Sequence, residues 1–233
     1  MSAREYLDAI QRRLDLLGGS QLPAIERAGQ AAADAIANGH RIWVSRTTHC
    51  LHDEVTSRAG GFMAIHALDD PISIEPGDLI LIGTNAGTTV LTVELANIAH
   101  DRGATVVALT QMAYEADPGA PAEHPSGKKL HEVCDILIDL GGQFGDGELQ
   151  FDEPGNPMRI LPGSGAAVVI AAWMILSEAT DRLVALGKPP LFWQSMQIPG
   201  ATPRNLALLG QYRRTHIGYS TEAAGEASAN GSR

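Results

Sequence analysis

The sequence predicts an α/β protein built on one parallel sheet, and three observations carry that prediction. Five short β-rich runs alternate with segments of helical period, the pattern of repeated βαβ units. One run, Leu79-Ile80-Leu81-Ile82, is unbroken in its apolar character, as a strand covered on both faces requires. Glycine punctuates the junctions at Gly18-Gly19, Asn38-Gly39, Gly60-Gly61, Pro76-Gly77 and Gly103.

Residues 1–17 read as a helix with Tyr6, Leu7, Ile10, Leu14 and Leu17 on one stripe. A second helix is predicted over 22–38, where Ile25, Ala28, Gly29, Ala32 and Ile36 recur at helical spacing. Strands follow at 41–45, 62–66, 78–84, 105–110 and 135–140. Helices are predicted at 51–58, from about 90 to Gly103, at 127–134 and over 164–187. Residues 111–127 and 141–163 read as long polar or glycine-rich loops, and no internal repeat is visible.

Composition narrows the function. The chain has 233 residues and a net charge of −10, which argues against a nucleic-acid surface. A local nest of backbone N–H groups still accommodates an anion on such a chain. Cys50 and Cys134 form neither a metal motif nor a disulfide framework, and read as free thiols of a reducing compartment. The first residues lack the apolar core of a signal peptide, and the longest apolar run, 166–176, is too short to span a bilayer. The expectation is a cytoplasmic protein with no membrane or nucleic-acid partner.

In an open parallel sheet, ligands bind beyond the carboxyl ends of the strands. That directs attention to the loops at 46–53, 84–89 and 161–165. Thr84-Asn85-Ala86-Gly87-Thr88-Thr89 places three hydroxyls and one glycine between an apolar strand and an amphipathic helix. A helix start leaves N–H groups unpaired, and its dipole favours an anion. The alternative is an ordinary cap, with Thr88 or Thr89 serving the helix alone. The turn is neither a dinucleotide fingerprint nor a P-loop. Ser45-Arg46-Thr47-Thr48-His49 offers hydroxyls and a cation at another strand end, or else a capped helix with a surface arginine.

Glu54 and Arg58 are spaced for a helix ion pair. Read functionally, Glu54 is a base that moves a proton between adjacent carbons, since burial beside a ligand raises a carboxyl pKa toward neutrality. His49 and His52 lack a visible third metal ligand, so no metal is expected. His124 lies in a long loop that reads either as a functional lid or as a helix start capped by Ser126. No GxSxG elbow supports a nucleophilic triad.

These segments resemble the sugar isomerase (SIS) domain family over about residues 20–190, and within it uncharacterised bacterial proteins described as phosphosugar-binding. The residues that carry the resemblance are Arg58-Ala59-Gly60-Gly61, Pro76-Gly77-Asp78, Thr84-Asn85-Ala86-Gly87 and His124-Pro125-Ser126-Gly127-Lys128. Pro189-Pro190-Leu191-Phe192 and the stretch from Asn205 to Tyr212 resemble that subgroup's ending. The resemblance implies a three-layer flavodoxin-like fold with a five-stranded sheet and helices on both faces. Together with the helical stripe at the N-terminus and the low-complexity composition of the last residues, it gives an N-terminal helix at 1–20, the domain at 21–190, an extension at 191–219 and a disordered tail at 220–233. It also implies a homodimer or homotetramer whose partner subunit completes the site.

For the site, the resemblance implies that Thr84, Asn85, Gly87, Thr88 and Thr89 surround an anionic group, with Thr48 and Ser164 adding hydroxyls. Glu54 falls where sedoheptulose-7-phosphate isomerase, another member, places its catalytic glutamate. The chain departs from the family at Ala86, where a second serine is usual, and at Arg46-Thr47-Thr48, where relatives carry Gly-His-Ser. Arg46 offers a compensating guanidinium. The helix 164–187 lacks the histidine that some members use as a second acid/base group.

The resulting expectation is a cofactor-free aldose–ketose isomerase of a small phosphorylated or otherwise anionic sugar. Glu54 shuttles the proton, and His49 or His124 assists ring opening or transfer to oxygen. The rivals are a non-catalytic phosphosugar-binding or sensing protein, and a lyase or epimerase using the same Glu54 chemistry.

Overall fold

The computed structural model describes residues 2–48 and 50–221. Its centre is a five-stranded parallel sheet in the order β2-β1-β3-β4-β5. The strands are β1 (Ile42–Val44), β2 (Ile65–Ala67), β3 (Leu79–Gly83), β4 (Thr105–Thr110) and β5 (Ile136–Asp139). The α/β prediction and its parallel sheet are met in full, with helices on both faces. Strand order reverses between β1 and β3, which both pair with parallel register.

Side chains alternate across the sheet as the pleat requires. Leu79 and Leu81 face the larger core with Ile42, Val44, Val107 and Leu109. Ile80 and Ile82 face the smaller core with Trp43, Val106 and Ala108. The larger core is roofed by α2 (Leu22–Ala37) and α6 (Ser164–Ala185), with α1 (Ala3–Gly18) and α3 (Leu51–Val55) beside them. The smaller core is covered by α4 (Val90–Asp101) and a 3-10 turn at Leu130–Glu132.

Helices α2 and α6 pack closely because small residues line their crossing. Ala28, Ala32, Ala171, Ala172 and Ala179 are fully buried there. At Gly29 a Cβ would lie 2.3 Å from Glu178 Cβ and 3.1 Å from the Ile175 carbonyl oxygen. At the amino end of the sheet, buried Asp78 accepts from Arg41 N (2.9 Å), Trp43 Nε1 (2.6 Å) and Glu75 N (3.0 Å), tying the start of β1 to that of β3.

Several boundaries differ from the sequence reading. The helix predicted at 51–58 ends at Val55, and Ser57 then takes a left-handed φ of 54°. The second strand lies at Ile65–Ala67, because Phe62 bridges to Phe192 of the C-terminal segment instead. The helix predicted at 127–134 is only the single 3-10 turn. The loop at 111–127 holds a short helix, α5 (Met112–Glu115). The segment 141–163 is not all loop: β6 (Leu149–Glu153) and β7 (Asn156–Ile160) form an antiparallel hairpin. The C-terminal segment contains a further helix, α7 (Ala201–Thr215), anchored where Tyr212 Oη meets His66 Nε2 at 2.6 Å. Most of the predicted tail, 222–233, falls outside the described residues.

The α2–α6 crossing gives a direct test. Gly29→Ala is expected to destabilise the protein by about 1–3 kcal/mol, because the new methyl meets backbone and a Cβ that cannot rotate away. Urea denaturation of both proteins measures it.

Candidate functional site

In open parallel sheets a strand-order reversal such as that between β1 and β3 is where a crevice lies at the carboxyl ends, and the two loops that leave these strands meet there. Hydroxyls staple them together. Gly83 N donates to Ser45 Oγ (3.2 Å), Ser45 Oγ meets Thr47 Oγ1 (2.7 Å), and Thr47 Oγ1 donates to the Gly83 carbonyl (2.5 Å). Gly83 has no room for a side chain, since a Cβ would lie 2.7 Å from Leu51 and 3.0 Å from Thr48 Oγ1. Thr48 is buried, and its hydroxyl has no hydrogen-bond partner.

The turn 84–89 runs from β3 into α4. Thr84 and Thr88 are buried, whereas Asn85 and Thr89 are partly exposed. Thr84 Oγ1 receives long hydrogen bonds from Ala86 N (3.4 Å) and Gly87 N (3.5 Å). Gly87 has a left-handed φ of 57°. Its carbonyl accepts from Leu130 N (2.8 Å), and the Thr88 carbonyl accepts from Glu123 N (2.9 Å), so the 111–130 segment backs the turn. Thr89 stands at the cap position of α4 yet makes no side-chain cap, and bonds Thr92 Oγ1 instead at 3.1 Å. The start of α6 at Gly163 has no side-chain cap either. Two helix starts with uncapped amides therefore flank one crevice, the arrangement that stabilises an anion.

Ser164, the first residue of α6, is buried, and its hydroxyl donates to Asp146 Oδ2 at 3.1 Å. Asn85 Nδ2 donates to the same oxygen at 2.8 Å, and Gln111 Nε2 donates to Asp146 Oδ1 at 2.9 Å. Two of the sequence-predicted binding residues, Asn85 and Ser164, are thus brought together on a carboxylate that sequence reasoning missed. Gln111 is held in turn by Arg13 NH2 (3.2 Å). Arg13, buried on α1, also pairs with Glu148 Oε1 (2.6 Å) and donates to the carbonyls of Leu140 and Gly141.

A second missed group lies beneath Gly87. Glu115 is buried, and its Oε2 bonds both His131 N (2.8 Å) and His131 Nδ1. Its Oε1 has no hydrogen-bond partner and would lie 2.1 Å from a Cβ at Gly87. Thr110 Oγ1, close by, is also unpartnered. Glu115 and Gln111 follow directly on β4, so the strand-end rule that picked out 84–89 was the available signal.

The other sequence-predicted residues lie further out. Glu54 is 35 % exposed and pairs with Arg58 NH1 at 2.7 Å. It lines an open recess against the first turns of α6, with Cys50, Gly165 and Val169. Arg46 does not turn toward the 84–89 turn. Its guanidinium pairs with Asp69 at 2.7 Å on the exposed side of the sheet edge. His124 is engaged by Glu94 Oε2 (2.9 Å) and Ser126 Oγ (2.7 Å) on the outer side of α4. His49 lies outside the described residues. Among the described residues no cluster of three metal-ligating side chains exists, and no helix is long and apolar enough to cross a membrane.

No protein-family model matches the chain. A UPF0309 protein of Listeria monocytogenes serotype 4b is 28% identical over 239 residues, covering 89% of this chain and 94% of that one. Phosphoheptose isomerase of Francisella tularensis superposes over 77% of this chain and 98% of its own, at 16% identity and a TM-score of 0.47. The sugar isomerase domain of the RpiR transcription factor of Sphaerobacter thermophilus covers 91% of this chain and 97% of its own, at 18% identity and a TM-score of 0.45. The chain is similar to sugar isomerase domain proteins.

Neither thiol is poised as a nucleophile. Burial, followed by the Glu115 charge, pushes Cys134 up to about 11, and burial raises Cys50 as well. At pH 8 Cys134 is therefore expected to react with iodoacetamide roughly 100-fold more slowly than an unfolded cysteine of pKa about 8.5. Peptide mapping after timed alkylation of native and denatured protein reads the ratio.

Proposed function

We propose that this chain binds a small anionic sugar, such as a sugar phosphate, in the crevice between β1 and β3 and interconverts its aldose and ketose forms. One observation carries the binding half of this reading. The uncapped starts of α4 and α6 flank the same crevice, together with the buried hydroxyls of Thr48, Thr84, Thr88 and Ser164. The Thr48 hydroxyl, buried without a partner, is a donor waiting for an acceptor.

In this reading the anionic group sits against the turn 84–89, and the sugar extends toward α3 and the recess that Glu54 lines. Glu54 takes a proton from the carbon next to the carbonyl, which leaves a cis-enediolate. It returns that proton to the neighbouring carbon, while a second proton passes from the hydroxyl oxygen to the former carbonyl oxygen. No external oxidant or reductant is needed, because one carbon is oxidised as its neighbour is reduced. His49 and His124 stay candidates for the oxygen proton, and Arg46 stays a candidate for the outer rim of the site. A second copy of the chain would complete the open side of the recess, in a homodimer or homotetramer.

One observation favours a second reading, binding without chemistry. Glu54 is partly solvated and held by Arg58, whereas a base needs to be desolvated beside its substrate. A closed recess, formed by a partner subunit or by bound sugar, separates the two.

The test is Glu54→Gln against a panel of sugar phosphates. Turnover, followed by NMR, is expected to fall about 100-fold or more, with binding retained to within a few-fold. Turnover within a few-fold of the original protein would remove Glu54 as the base. Binding with no product from any sugar, and no deuterium uptake from solvent, would establish the second reading.

A further inference from the structure

Some of the donors beside the proposed anion crevice are already occupied by the protein itself. Asn85 Nδ2, Gln111 Nε2 and Ser164 Oγ come from three separate parts of the chain and converge on the two carboxylate oxygens of Asp146, at 2.8, 2.9 and 3.1 Å. Among the described residues no arginine or lysine is paired with that carboxylate. We infer that Asp146 is an intramolecular substitute for the ligand's anionic group, and that an anion gains Asn85 and Ser164 by displacing it. The inference rests on the anion-site reading above.

The backbone supports the assignment. Asp146 has a left-handed φ of 52°, a conformation that costs an L-residue energy and is kept where the surroundings hold it. Gly145 N donates to Tyr114 Oη at 2.9 Å, and the Tyr114 and Phe144 rings pack at 4.9 Å, so the strand-connecting loop is anchored on α5 one residue before the aspartate. On the other side Glu148 is pinned by Arg13. The short span between these anchors aims Asp146 at the mouth of the crevice.

Two like charges do not share one set of donors. A phosphate at Asn85 and Ser164 would meet the carboxylate at hydrogen-bond distance, so the closed form and the anion-bound form exclude each other. The observed affinity for an anion is then the intrinsic affinity reduced by the fraction of molecules in which Asp146 has moved out. The device discriminates as well: a neutral sugar offers too little electrostatic gain to expel the carboxylate.

The experiment compares inorganic phosphate binding, by isothermal titration calorimetry, in the original protein, Asp146→Asn and Asp152→Asn. Asp146→Asn keeps the side chain's size and tolerance of a left-handed φ while removing its charge. Asp152→Asn removes the same charge from exposed β6 and controls for net charge. The expected result is an affinity about tenfold or more higher in Asp146→Asn and unchanged in Asp152→Asn. Asp146→Gly, which relieves the backbone, is expected to show the same gain and serves if Asp146→Asn does not fold. Equal or weaker phosphate binding in the Asp146 variants, with clear binding in the original protein, would overturn this inference alone and make Asp146 a ligand-holding group. No phosphate binding by any of the proteins would overturn the anion-site reading together with it.

Discussion

The reversal of strand order between β1 and β3 is the constraint from which the site follows. It sends the connections from two adjacent strands away from each other, so neither can roof the gap between them. The chain answers with hydroxyl groups. Ser45 and Thr47 bind the two strand ends to one another, and Gly83 removes the side chain that would push them apart. Packing on the two faces then fixes the flanking helices. The small-residue crossing of α2 and α6 sets where α6 begins, and therefore where Ser164 stands.

Electrostatics around the crevice are unusual for a place proposed to take an anion. Asp146 and Glu115 lie beside it and Glu54 further out, on a chain of net charge −10. Each acid is managed differently. Glu115 is buried against His131, Glu54 is answered by Arg58, and Asp146 is held by neutral donors. Attraction for the proposed anion would come from backbone dipoles and hydroxyls at short range, and not from the field of the whole molecule. Arg46, the one cation that the sequence offered for this task, is engaged with Asp69 at the sheet edge.

Much of the fold was legible because strands buried on both faces advertise themselves. The runs at β3 and β4 are apolar, short and bounded by glycine, and their positions agree closely with the reading. The hairpin β6–β7 was hidden because its residues are mostly exposed and its strands lack a clear apolar alternation. Strand β2 was placed early because Phe62 and Met63 look like strand residues, yet long-range pairing with the C-terminal segment claims that stretch. The turn at 84–89 was visible from its local chemistry. Asp146 was not, since it meets Asn85 across 61 positions and only the tertiary fold makes that contact. Glu115 likewise acquires meaning only once Gly87 leaves space above it.

Arg13 gives α1 a significance that its place at the chain's beginning would not suggest. One guanidinium, almost wholly enclosed, simultaneously grips Glu148, Gln111 and the carbonyls that follow β5. The first helix is thereby the keystone of the far side of the pocket. Sliding it by a single turn would unload all of these groups together, so α1 and the loops that follow β4 and β5 stand or fall as one unit.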